Sequence, residues 1–77
     1  MLDTVIVGEV FQRIRESKHK SQELVSGLAG IGRTHLSAIE RGQRKPTLET
    51  FYKLAYALDR KPSSIMEEIE KEMERKQ

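Results

Sequence analysis

Arg33, Thr34, Ser37, Ala38 and Arg41 are spaced so that one helix through them carries a guanidinium at each end of a narrow polar face, with small side chains between. A guanidinium can bond bidentately to guanine O6 and N7, hydroxyls can meet base edges or phosphate oxygens, and a methyl side chain can approach a thymine methyl. The face therefore has the shape and chemistry of a helix that enters a nucleic-acid groove. For Arg33 the alternatives are a phosphate contact or a solvated side chain. For Thr34 and Ser37 the alternative is plain helix surface.

The segment that must position this face is Ser21 to Gly42, SQELVSGLAGIGRTHLSAIERG. Ser21 offers a side-chain oxygen to the orphan amides of a helix start, and Gln22 and Glu23 fill the first turn, where negative charge suits the helix dipole. Val25, Ala29 and Ile31 lie on one side, and Leu36 and Ile39 continue the apolar series. Gly30 stands where the chain must turn left-handed between two helices, and Gly42 is a C-cap glycine for the second. The reading is two short helices hinged at one glycine.

Three further helices complete the expectation. The first spans roughly Thr4 to Ser17, with Val7, Val10, Phe11 and Ile14 on its inner face. The fourth follows Pro46, with Thr47 as N-cap, and is expected to bury Leu48, Phe51, Leu54, Ala55 and Leu58. The fifth starts near Pro62 and runs to about Arg75, with Glu67–Lys71 and Glu72–Lys76 in the favoured i,i+4 order. No strand pattern is present, so the fold class is all-α.

The run Gln22, Val25, Ser26, Gly30, Ile31, Leu36 and Ile39, followed by Glu40-Arg41-Gly42, resembles the helix-turn-helix of the phage Cro and CI repressor class, the XRE-type family. VGEVFQRIR resembles that family's first helix and PTLETFYKLAYAL its fourth, so the similarity extends from about Val7 to Met66. LAGIGRTHLSAIERGQRKPTL is similar to the small controller proteins of restriction–modification systems. The resemblance implies a compact five-helix, lambda-repressor-like DNA-binding domain with the hinged pair as helices 2 and 3. It implies sequence-specific binding of double-stranded DNA and transcription regulation, as a restriction–modification controller or a phage or mobile-element regulator. The alternative is an antitoxin-type module that binds a partner protein and autoregulates its operon.

The resemblance also assigns roles. Gln22 matches the family's phosphate-binding glutamine, with helix capping as the alternative. Arg15 and Glu40 match a structural ion pair linking the first helix to the end of the third. His35 stands where the family often has an aromatic residue, which implies packing or a phosphate contact. Arg41, Gln43, Arg44 and Lys45 fall beside the DNA backbone. His19 and Lys20 replace the usual glycine and apolar residue before the second helix, so a looser turn is expected there, with Lys20 reaching a phosphate.

Charge placement agrees. The formal net charge is only +2, but residues 12–45 hold eight basic and three acidic side chains. A phosphate backbone is steered toward that segment. One motif reads few base pairs, so a homodimer on a palindromic operator is expected, with the recognition helix, about residues 32–41, in the major groove. Tyr52, Tyr56, Ile65, Met66, Ile69 and Met73 are the candidate dimer surface; Ile65 and Met66 are expected in part to close the core instead, whereas Ile69 and Met73 are harder to bury in so short a chain.

At 77 residues the chain suits one domain, burying roughly 60% of its unfolded surface. The expected core is about 5–70, with residues 71–77 a fraying helical tail. With no cysteine and two histidines there is no thiolate site, and no metal, cofactor, small-molecule ligand or catalytic set is expected. The apolar start is interrupted at Gly8-Glu9 and is neither signal peptide nor membrane span. The expected compartment is the bacterial cytoplasm. Glu23 is a candidate contact for RNA polymerase.

Overall fold

The computed structural model describes residues 1–76, which form α1 (Thr4–Ser17), α2 (Gln22–Ala29), α3 (Arg33–Glu40), α4 (Leu48–Ala57) and α5 (Pro62–Arg75). No strand occurs among the described residues. Gln77, the last residue of the expected fraying tail, lies outside them. Three helix starts are capped by side chains: Asp3 accepts from the Val5 and Ile6 amides, Ser21 from Leu24, and Thr47 from Thr50. Pro62, whose missing N–H costs nothing in a first turn, opens α5.

The first four helices stop by a common device. His19, Gly30, Gly42 and Asp59 all have left-handed backbones, with φ of 57°, 72°, 76° and 55°. Each amide bonds back to the penultimate turn, and the following amide closes on a carbonyl five residues earlier: Lys20 on Arg15, Ile31 on Ser26, Gln43 on Ala38 and Arg60 on Ala55. This is the Schellman arrangement, which satisfies the orphan carbonyls of a helix end. The expectation of a looser turn at His19 and Lys20 is corrected. The same bonds form there, and histidine occupies the left-handed position that glycine would take more cheaply.

The core joins all five helices. Val7, Val10, Phe11 and Ile14 of α1 meet Val25 and Ala29 of α2, Leu36 and Ile39 of α3, and Phe51, Leu54, Ala55 and Leu58 from the α4 segment. Ile65 and Ile69 close it from α5. Phe11 and Phe51 pack edge to face, ring centroids 5.2 Å apart, the favoured geometry for two ring quadrupoles. Two expectations fail. Leu48 is 84% exposed, because it lies at the margin of α4's buried face and in its first turn, beyond the edge of the core. Ile69 is fully buried within this chain and offers no surface to a partner, and Ile65 closes the core completely rather than in part. Met66 and Met73 are half-buried against the same core.

α1 seats α3. Gly8 is buried where α1 crosses the last turn of α3, and a Cβ there would lie 2.7 Å from the Glu40 carbonyl oxygen and closer still to that of Ile39. An interior glycine costs about 0.5–1 kcal/mol in helix propensity. Here it permits direct backbone contact that no other residue allows.

Candidate nucleic-acid interface

α2 and α3 are joined by three residues, Gly30 to Gly32, so the turn at Gly30 fixes their mutual angle with no slack. Leu36 and Ile39 bury one side of α3. The opposite side is the face picked out by its residue types: Arg33 and Thr34 are exposed, and His35, Ser37 and Ala38 are half-buried. Gly32 caps the helix without a side-chain bond, so its first-turn amides carry no such cover. Arg41 is exposed and donates to Ser37 Oγ and, at 3.1 Å, to Gln43 Oε1. Ser37, Arg41 and Gln43 thus form one linked polar row, and Ser37 keeps its hydroxyl proton to donate.

Ion pairing sorts the basic residues into two groups. Arg13 lies 3.6 Å from both Glu68 and Glu72, Arg15 is bonded to Glu40, and Lys20 reaches Asp59 at 3.2 Å. Arg33, Arg41, Arg44 and Lys45 form no ion pair among the described residues, and all four are exposed. Of the seven basic side chains that form no ion pair among the described residues, these four cluster on α3 and the segment that follows it, while Lys18, Lys61 and Lys71 lie elsewhere. Such a surface attracts polyanions, whereas the paired cations serve the scaffold.

Lys20 belongs to the first, paired group, whereas a phosphate contact was expected of it. Its ammonium donates to the Ala57 carbonyl at 3.1 Å as well as to Asp59, tying the turn after α1 to the end of α4. The carbonyl end of a helix is a favourable place for a cation.

The Arg15–Glu40 pair forms as the resemblance implies. Arg15 donates from Nε to Glu40 Oε2 at 2.7 Å and from Nη2 to Oε1 at 3.0 Å, and its Nη1 holds the Lys20 carbonyl at 2.9 Å. The hydrogen bond to Glu40 raises the Arg15 pKa above the usual guanidinium value, against an opposing effect of burial. Gln22 Nε2 donates to Glu40 Oε1 at 2.9 Å, a contact that sequence reasoning missed. Neither capping chemistry nor periodicity signals it, because the partners lie on different helices. Gly8 was missed as well, although a glycine inside an apolar helical face was the available signal.

A helix-turn-helix family model matches residues 11–65, a span that contains α2, α3 and the whole of α4. The chain belongs to the helix-turn-helix family. This is the XRE-type class of DNA-binding transcription regulators. An uncharacterized HTH-type transcriptional regulator of Sinorhizobium fredii (strain NBRC 101917 / NGR234) is 45% identical over 53 residues, 69% of each chain. The restriction–modification controller protein C.AhdI from Aeromonas hydrophila is 38% identical, with a TM-score of 0.79 over 82% of this chain and 96% of its own. A second controller protein, C.Esp1396I, was solved as a tetramer in complex with its natural 35-base-pair operator. It is 28% identical, with a TM-score of 0.83 over 90% of this chain and 91% of its own. Within the helix-turn-helix frame, α2 is the supporting helix and α3 the recognition helix.

Proposed function

We propose that this chain binds double-stranded DNA as a homodimer on a two-fold symmetric operator, regulating transcription as a controller of the restriction–modification type in the bacterial cytoplasm. The observation that carries the reading is the clustering of four exposed, unpaired cations, Arg33, Arg41, Arg44 and Lys45, on the recognition helix and its following loop. The identity to C.AhdI supports the controller assignment. α3 enters the major groove, with Arg33 on a guanine and Thr34, Ser37 and Ala38 along the base edges. Gln22, His35, Arg41, Gln43, Arg44 and Lys45 hold phosphates, which set register and affinity.

The partner surface narrows to α4. Tyr52 and Tyr56 are 65% and 76% exposed, and exposed Leu48 extends their row at four-residue spacing. Isoleucines 65 and 69 are withdrawn from it by their burial. No helix among the described residues is long and apolar enough to cross a membrane.

Selection of bound duplexes from a random pool tests the proposal. The expected product is a pair of inverted half-sites about one helical turn, roughly 34 Å, apart. Recovery of no common sequence would refute operator binding. Sedimentation should show a dimer that Tyr52→Glu dissociates.

A further inference from the structure

We infer that Glu40 is a positioning residue for the phosphate contact at Gln22, an assignment that rests on the proposed reading of that contact. The Glu40 side chain is 3% exposed and collects three donors: Nε and Nη2 of Arg15 and Nε2 of Gln22. An ionised carboxylate only accepts hydrogen bonds, so it dictates which end of the Gln22 amide faces it. The nitrogen points inward to Glu40 at 2.9 Å. One of its two protons is engaged there, and the other has no protein acceptor among the described residues.

Arg15 is what makes this arrangement usable by an anion. Its guanidinium cancels the Glu40 charge at 2.7 Å, so a phosphate oxygen approaching the second Gln22 proton does not face a bare carboxylate behind it. The amide then bridges two anions, one buried and neutralised, one on the DNA. Holding Gln22 in place before DNA arrives removes a side-chain ordering cost from binding. Gln22 is also the first residue of α2, so its backbone is fixed by the Ser21 cap. The ion pair that looks purely architectural thereby reaches the interface through one hydrogen bond.

A double-mutant cycle on affinity for the selected duplex tests this. Gln22→Ala should weaken binding about ten- to a hundredfold, the effect of losing a hydrogen bond to a charged group. The paired replacement Arg15→Met with Glu40→Leu leaves no lone buried charge and should keep a cooperative melt. It should weaken binding by a similar factor, and adding Gln22→Ala should weaken it no further. Paired-variant binding equal to that of the unaltered protein, or losses that multiply in the triple variant, would overturn the positioning role. An unaltered affinity for Gln22→Ala alone would instead remove the phosphate reading and the inference with it. Should the paired variant fail to fold, NMR of the unaltered protein decides. The Gln22 side-chain amide should exchange more slowly than that of Gln43 and show two well-separated proton shifts. Exchange as fast as Gln43 overturns the inference.

Discussion

Arg15 and Glu40, from α1 and the last residue of α3, are joined by two parallel hydrogen bonds of 2.7 and 3.0 Å. The pair fastens the recognition helix to the scaffold at the end away from Arg33. Such a fork is more directional than a point contact between charges.

Glu40→Ala should therefore destabilise the domain by about 3–5 kcal/mol, since Arg15 would keep a charge with its main partner gone. Thermal unfolding followed by circular dichroism measures it. A melting temperature equal to that of the unaltered protein would refute the structural role of the pair.

Gly8→Ala should also destabilise, by about 1–3 kcal/mol, because the new methyl meets the carbonyls of Ile39 and Glu40 rather than a yielding side chain. Gly27→Ala is the contrasting case. Nothing lies within 4 Å of a Cβ there, and α2 should gain about 0.5–1 kcal/mol of stability. Urea titrations should separate the two in opposite directions.

Arg33→Ala should flatten base preference at one position of each half-site, at a cost of about 1–3 kcal/mol against the preferred base. Arg44→Ala should weaken all sequences alike. Binding measured across a panel of single-base operator variants distinguishes them, and an unchanged preference in the Arg33 variant would remove its assignment to readout.

Salt should matter strongly. With Arg33 on a base, Arg41, Arg44 and Lys45 leave three phosphate-directed cations per protomer, hence six in a dimer. Six such contacts should lower affinity about a thousandfold between roughly 50 and 200 mM salt. A flat titration would contradict a phosphate-dominated interface.

Acid should weaken the charge cluster around Glu72 on α5. The hydrogen bond from Arg75, helped by the charges of Arg75, Arg13 and Lys76, holds the Glu72 pKa below its usual value against the effect of burial. A lowered folded-state pKa contributes stability above the unfolded value, about 4.3, and loses it as pH falls through the folded one. Glu72→Gln should reduce the fall in stability below about pH 5. An identical acid limb in both proteins would show that the pair contributes nothing.

The helices and their starts were legible because caps and periodicity are local signals: Ser21, Thr47, Pro62 and the Val7-Val10-Phe11-Ile14 series each act within a turn or two of themselves. The polar face of α3 was legible for the same reason. Lys20, Leu48, Ile69 and Gln22 were not, since their environments depend on which helix comes to lie beside them. Lys20 meets the end of α4 from across the fold, and Ile69 is covered because α5 folds back on α1 through Arg13, Glu68 and Glu72. His19 was misjudged because the left-handed stop is set by backbone bonds, from the His19 amide to Glu16 and from the Lys20 amide to Arg15, which form with histidine as they would with glycine.

The four helix connections are unequal. Three are clamped to three or four residues by their left-handed stops, while residues 41–47, between α3 and α4, form the longest. Beyond Gly42 that stretch carries Arg44 and Lys45 and contributes no helix to the core. Under the phosphate roles proposed for Arg44 and Lys45, part of the grip on DNA can be retuned by editing this one strap, without disturbing the turn at Gly30 that sets the angle of α3. That share of the affinity and the base readout proposed for Arg33 lie on separate parts of the chain, so a redesign can adjust the one while leaving the other in place.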